Sequence, residues 1–187
     1  MEYDTKVKKI KEKAWENYVE NATLSWMLSR VLAIGYGIID GKDKLQVSLD
    51  IDEEDEPGLL QTFWEIVLTT RENRGRLISF GGHGFDIPFA TRRSWARGVE
   101  CPYLLTKYRK MQDFCVDTLE LCRMGGKIEK GWDLDRVAKA LGVKGKMEGM
   151  TGEMFWKVLR EDRDKAEKYL EMDIRCLAGV ANKLGVY

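Results

Sequence analysis

The sequence has little of what common metal and disulfide sites require. It contains a single histidine, His83, and four cysteines, none of which forms a Cys-x-x-Cys pair. This pattern argues against a zinc site built from cysteine and histidine. The cysteines lie in apolar or helical contexts, so we expect them to be small buried side chains in a protein of the reducing cytoplasm.

Three further absences limit the class of protein. No apolar run approaches the ~20 residues of a membrane helix, and the segment from Met1 to Lys6 lacks the apolar core of a signal peptide. The formal net charge is zero, so a nucleic-acid partner would need a local basic patch. The chain has only three prolines and no low-complexity linker. Its 187 residues, 44% apolar and 33% charged, predict a single soluble domain over residues 1–187 without membrane contact.

Strand and helix signals alternate along the chain. Apolar periodicity predicts a helix over residues 5–28, followed by a hairpin with strands at 30–39 and 44–50 around Asp40-Gly41. A short strand is predicted at 76–80, and a strand followed by a helix at 114–123. Helices are predicted at 58–70, 85–98, 133–141 and 163–184, with another opening at Thr151. This order predicts a mixed α/β sheet with helices packed on it.

The most informative stretch is residues 77–89. A short apolar run ends in three glycines between positions 81 and 84, and a helix then opens at Phe85 and Asp86. The glycines allow a sharp turn and the close approach of a ligand. Asp86 is therefore either a functional carboxylate delivered to the end of a sheet or an ordinary carboxylate at a helix start.

Tyr169 and Asp173 form a second candidate group on the last predicted helix. Their spacing of four places both side chains on one helix face. Taken alone, this spacing is more typical of a surface pair, with a half-buried tyrosine and a solvated aspartate. Combined with Asp86, it supplies a phenol and two carboxylates from distant segments, which favours a metal-dependent phosphodiester site.

The order of these motifs resembles the DEDDy group of 3′–5′ exonucleases in the DnaQ-like, ribonuclease H-like superfamily. More narrowly, the chain is similar to stand-alone exonucleases akin to the proofreading domain of B-family DNA polymerases. Residues 80–88 resemble the second exonuclease motif, and Tyr169-x-x-x-Asp173 resembles the third. Asp117 opens a segment that also resembles the family. A stretch of the form L-x-x-x-A-x-x-L-G-x-x-G-K is matched by Leu134, Ala138, Leu141, Gly142, Gly145 and Lys146.

The resemblance implies a fold, a reaction and a cofactor. The fold would be a ribonuclease H-like mixed sheet flanked by helices. The reaction would be hydrolysis of DNA, as single strands or frayed 3′ ends, assisted by a pair of Mg²⁺ or Mn²⁺ ions. Asp86 and Asp173 would be metal ligands, and Tyr169 would orient the attacking water. Asp117 would support the site.

The sequence departs from this family at its beginning. The family's first motif, Asp-x-Glu, lies on the central strand of the sheet, and no apolar strand precedes such a pair here. We therefore expect an N-terminally truncated domain without that strand and with little Mg²⁺-dependent activity until the strand is restored. The alternative is that Glu2 and Asp4, which have acid-x-acid spacing, form a degenerate first motif.

Candidate nucleic-acid contacts surround the glycine turn. His83, Phe85, Arg92 and Arg93 are predicted to touch the substrate, since cations hold phosphates and aromatic rings stack on bases. A wider basic cluster is completed by Arg97, Lys107, Arg109 and Lys110, with Trp95, Tyr103 and Tyr108 interleaved. The alternative for this segment is a solvated helix face with core aromatics. The alternatives to an exonuclease are a non-catalytic or degenerate nucleic-acid-binding domain and an α/β interaction module.

Overall fold

The computed structural model describes residues 11–15, 18, 22, 25–40, 44–102, 114–126 and 131–187. The chain divides into two compact units, residues 1–30 and residues 31–187. In the first unit, residues 11–15, 18 and 22 are helical, in agreement with part of the predicted helix. Glu2 and Asp4, Gly41, and most of the wider basic cluster lie outside the described residues. The candidate site lies within the second unit.

Two pairs of strands form the sheets of the second unit. Strands β1 (Ala33–Asp40) and β2 (Lys44–Ile51) form an antiparallel hairpin. Strands β3 (Leu77–Ser79) and β4 (Cys115–Asp117) pair in parallel. The helices, in chain order, are α1 (Glu56–Glu72), α2 (Asp86–Arg97), α3 (Thr118–Arg123), α4 (Leu134–Ala140), a 3-10 turn (Gly152–Met154), α5 (Phe155–Glu161) and α6 (Arg163–Lys183).

This arrangement confirms the predicted mixed α/β class. Among the described residues, β1 pairs only with β2 and β3 pairs only with β4. The pattern is consistent with a ribonuclease H-like domain that lacks some strands. No helix in the described part of the chain is both long enough and apolar enough to cross a membrane.

A cluster of buried apolar side chains between α1 and α2 fixes the position of the helix that begins at Asp86. Leu60, Trp64 and Val67 recur at helical spacing on α1 and pack against Ile87 and Ala90 of α2. The same cluster includes Cys115 of β4, so α2 is fixed against the parallel strand pair. The first residue of α2 is Asp86, and its position is therefore set by this core.

A buried ion pair joins the same two helices. Glu56, in the first turn of α1, is 2% exposed and accepts bonds from Arg93 at 2.5 Å and Arg97 at 2.7 Å. It also accepts the Val31 amide at 2.9 Å. The predicted strand at 30–39 accordingly begins at Ala33, because Val31 donates to Glu56 rather than to a neighbouring strand.

Helix α6 carries the other half of the candidate site. Leu134 and Ala138 of α4 pack against Cys176 and Val180 of α6. Tyr169 lies in a separate cluster with Met150, Val158, Leu159 and Ala166. The α6 segment from Tyr169 to Cys176 is therefore held from both sides.

Candidate active site

The glycine turn that precedes Asp86 requires glycine for two different reasons. Gly81 has φ +74°, a left-handed conformation that glycine adopts without strain. A Cβ on Gly82 would lie 2.5 Å from the Ser79 hydroxyl oxygen and 3.5 Å from an Asp86 carboxylate oxygen. The turn thus brings the backbone against Ser79 and places Asp86 at the first position of α2.

The environment of the Asp86 carboxyl disfavours its charge. The residue is exposed, but protein atoms surround its carboxyl, and this desolvation raises the pKa of Asp86. The nearby charge of Asp117 raises the pKa further, and the Lys146 ammonium opposes the shift. Asp117 and Lys146 therefore act on the Asp86 carboxyl with opposite signs, and the carboxyl is shifted toward its neutral form.

Asp117 holds the glycine turn in place. One of its carboxylate oxygens accepts the Gly81 amide at 2.7 Å and the Leu119 amide at 3.0 Å. The other accepts the His83 amide at 3.0 Å. Asp117 is 4% exposed and caps α3 through the bond to Leu119. Its carboxylate therefore ties the end of β4 to the turn that delivers Asp86.

His83 lies beside this brace. It is 7% exposed, and its Nδ1 lies 3.1 Å from an oxygen of Glu120. Among the described residues, His83, Asp117 and Glu120 form a group that could hold a metal ion, since their ligand atoms all lie within 4.8 Å. Asp117 also has a structural role, because its oxygens already accept the backbone amides of the glycine turn.

Tyr169 and Asp173 lie on the same face of α6, and the side chain of Lys146 contacts both of them. The Lys146 Nζ lies 2.7 Å from one Asp173 oxygen and 5.5 Å from the centre of the Tyr169 ring. The Tyr169 hydroxyl is hydrogen-bonded to both Asp173 and Lys146. The spacing of four thus gives the predicted shared face.

The second oxygen of Asp173 makes this group unusual. Its Oδ1 is buried and has no hydrogen-bond partner among the described residues. Burial raises the pKa of Asp173, and the bonds from Lys146 and Tyr169 reduce but do not cancel the effect. Buried carboxylate oxygens are normally bonded, so this oxygen is open to a water molecule or an ion.

The loop that carries Lys146 is fixed by Asp135 in the first turn of α4. One Asp135 oxygen accepts the Lys146 amide at 2.8 Å, and the other accepts the Lys139 ammonium at 2.6 Å. A Cβ on Gly145 would overlap the Asp135 carboxylate. The Gly-Lys pair of the predicted family stretch therefore has a physical role, which is to let the loop approach α4 and aim the lysine at α6.

Lys146 connects the two halves of the candidate site. Its ammonium is paired with Asp173 and also acts electrostatically on Asp86. Burial lowers the pKa of Lys146, but the hydrogen bond and the charge of Asp173 raise it by more. The pKa therefore lies above its ordinary value, and the group is protonated at neutral pH. The carboxylates of Asp86 and Asp173 are oxygen donors of the kind that a divalent cation takes, and one oxygen of Asp173 has no partner among the described residues.

The four predicted nucleic-acid contacts are placed differently. Phe85 is 42% exposed and lies 5.4 Å from Phe89 between ring centres, and Arg92 is exposed on α2. His83 is buried against Glu120. Arg93 is buried and bound to Glu56, so its guanidinium serves the core and the physical basis for its predicted contact is lost.

Sequence reasoning gave Lys146 no role, although it appeared in the family-like stretch. A signal was present, because a glycine followed by a lysine, after a helix, allows a close backbone approach and a reaching cation. Asp135 and Glu120 were also missed, since isolated acidic residues on short helices carry no distinguishing pattern.

Comparison with known proteins gives one family. The family model described as "Predicted 3'-5' exonuclease related to the exonuclease domain of PolB" matches residues 21–176 of the chain. This range includes the glycine turn, Asp117, Lys146, Tyr169 and Asp173. No curated protein matches the chain.

Proposed function

The chain belongs to the family of predicted 3′–5′ exonucleases related to the exonuclease domain of PolB, and from that premise we propose that it hydrolyses DNA from single-stranded 3′ ends with divalent cations. The observation that carries the proposal is the buried, unbonded oxygen of Asp173 beside the Tyr169 hydroxyl and the Lys146 ammonium. A carboxylate in this state is suited to a cation rather than to the fold.

Asp86 and Asp173 would hold Mg²⁺ or Mn²⁺. Bound there, the cations would supply a water of lowered pKa and charge neutralisation on the phosphate oxygens. The resemblance to the two-metal family assigns further ligands to the Asp-x-Glu motif, and Glu2 and Asp4 are the candidates for a degenerate form of it.

The chain's own residues would act on water and phosphate. Burial, together with the Asp173 charge, raises the pKa of Tyr169, so the phenol keeps its proton and orients the attacking water by hydrogen bonding rather than by acting as a base. The protonated Lys146 would lie against a non-bridging oxygen of the scissile phosphate. Asp117 would hold the turn that positions Asp86.

The test separates cation binding from cleavage. We expect Mn²⁺ binding, measured by electron paramagnetic resonance, to weaken at least about 10-fold in Asp86→Asn and in Asp173→Asn. Degradation of a 5′-labelled single strand from its 3′ end should require Mg²⁺ or Mn²⁺ and Tyr169. The control is Glu72→Gln, which removes one exposed carboxylate at the end of α1. Unchanged Mn²⁺ binding in both aspartate variants, or cleavage that survives them, would refute the proposal.

A non-catalytic nucleic-acid-binding domain of the same fold is the second candidate. The observation that favours it is the short ligand set among the described residues, where Asp173 is paired with Lys146 and Asp86 is linked to that lysine only through its electrostatic effect. Salt-dependent binding of single strands without cation-dependent cleavage would select this function.

A further inference from the structure

An open cleft lies beside Asp173. Its volume is about 920 Å³, and it runs between the segment 139–148 and the first half of α6. Five lysines line it, namely Lys139, Lys144, Lys146, Lys165 and Lys168. Lys146 belongs to both the cleft and the candidate active site, so the two are continuous.

The lysines of the cleft differ in whether they have an acidic partner. Its walls contain five lysines and three carboxylates, which are Glu148, Asp162 and Asp164. Lys139 and Lys146 are paired with Asp135 and Asp173. No ion pair to Lys144, Lys165 or Lys168 forms within the described part of the chain. These three ammonium groups are therefore available to an external anion.

One of the three acids in the cleft has a structural role. Asp162 caps α6, since its side chain accepts the Lys165 amide at 3.0 Å. Its charge is directed at the exposed amides of the helix start rather than at the lysine ammoniums. Met147 and Met172 add half-buried apolar surface between the lysines, which suits sugars and bases next to a phosphate chain.

The arginines of α2 offer less to such a ligand. Arg93 and Arg97 are bound to Glu56, which leaves Arg92 as the arginine of α2 that has no ion pair within the described residues. Three available lysines in one open cleft that leads to Asp173 form the more extended cationic track. An elongated polyanion matches this track better than a compact ion does, because the lysines lie along both walls.

We propose that this lysine cleft binds the phosphates of a single nucleic-acid strand whose 3′ end lies at Tyr169 and Asp173. The direction of the strand rests on the proposed exonuclease function. The binding itself does not, because phosphate contacts with lysine need neither a divalent cation nor cleavage. Lys165 and Lys168 carry the contacts farthest from the reacting groups and can be changed without touching them.

The experiment measures binding of labelled oligo(dT), about 12 nucleotides long, by fluorescence anisotropy in EDTA over a range of salt concentrations. The variant Lys165→Gln/Lys168→Gln loses two phosphate contacts. Its log–log salt slope should become shallower by about 1.4, and its affinity should fall about 25-fold at about 0.1 M salt. The matched control is Lys157→Gln/Lys183→Gln, which removes two exposed lysines of α5 and α6 that lie outside the cleft.

The outcomes are distinct. Loss in the cleft variant with near-unchanged binding in the control supports the cleft as the strand-binding surface. Equal loss in both variants would show a general charge effect and overturn the proposal, as would no loss in either. Since EDTA prevents cleavage, a failure of this binding test is separate from a failure of the Mn²⁺ test at Asp86 and Asp173.

Discussion

The α1–α2 contact and the Tyr169 face of α6 each contain a carboxylate shielded from water. The two carboxylates differ in how completely their oxygens are bonded and in the direction of their pKa shift. Glu56 has Arg93, Arg97 and the Val31 amide on its oxygens, and although burial raises its pKa, these partners lower it overall. Asp173 has Lys146 on one oxygen and no described partner on the other, and its pKa is raised. The first is a structural carboxylate, and the second is kept incompletely bonded, as a ligand-binding group is.

The largest effect should come from Glu56→Ala. Removing this side chain leaves Arg93 buried without its carboxylate, and the free energy of unfolding should fall by about 3–5 kcal/mol. Urea denaturation would measure the change. Glu65→Ala, an exposed position on the same helix, is the control and should shift the free energy by less than about 0.5 kcal/mol. A loss below about 1 kcal/mol for Glu56→Ala would show that Glu56 is not a structural carboxylate.

The pH dependence of Glu56 has a definite sign. Its folded-state pKa lies below the ordinary value of 4.5, so its contribution is present above pH 4.5 and is lost as pH falls through the folded value. The gap between the parent chain and Glu56→Gln should therefore narrow on acidification. Urea curves at a series of pH values check this expectation.

Asp117→Ala should have the next largest effect. It removes one acceptor for three backbone amides, including the buried His83 amide, and should cost about 2–3 kcal/mol. Asp133→Ala, which removes an exposed cap bond to the Arg136 amide and an exposed ion pair with the Arg136 side chain, should cost about 1 kcal/mol. If the two costs are equal, Asp117 does not brace the turn.

Asp173→Asn should change stability far less than Glu56→Ala does. The substitution removes an ion pair with Lys146, but it also removes a charge whose burial is unfavourable. The two terms oppose each other, so we expect a change within about 1 kcal/mol. Thermal and urea unfolding would measure it. A loss as large as that of Glu56→Ala would show that Asp173 is a structural carboxylate like Glu56.

Asp86→Asn should have the smallest effect, with the opposite sign. Because the folded-state pKa of Asp86 is raised, the folded chain binds more protons than the unfolded chain above the ordinary value of 3.8, and stability falls as pH rises through the folded value. The asparagine variant escapes this loss. It should be more stable at neutral pH by less than about 1 kcal/mol, and the gain should vanish in acid. Glu72→Gln controls for the change in net charge.

The sequence predicted the elements of this unit well where local signals are strong. The glycine turn before α2 follows from backbone sterics, which are a local property, and α2 begins at Asp86 directly after it. Tyr169 and Asp173 share a face because helical periodicity requires it. Thr151 precedes the 3-10 turn as expected, although its side chain makes no cap bond there.

The long-range pairings could not be predicted. Nothing local to Arg93 distinguishes a core ion pair from a phosphate contact, because its partner Glu56 is 37 residues away. The meeting of Lys146 with Asp173 likewise depends on how α4 packs on α6. Side chains that find partners across the fold are set by packing, and that information is spread over the whole core.

The bond between the Asp135 carboxylate and the Lys146 amide has a mechanical consequence. Because Asp135 belongs to α4, a tilt of that helix should move the backbone of Lys146 and, with it, the ammonium group that is paired with Asp173. Ala138 of α4 is fully buried in the cluster that joins α4 to α6, so a larger side chain at this position should push the two helices apart. Substitutions at Ala138 should therefore change the distance between Lys146 and Asp173 while both of these residues are left unchanged.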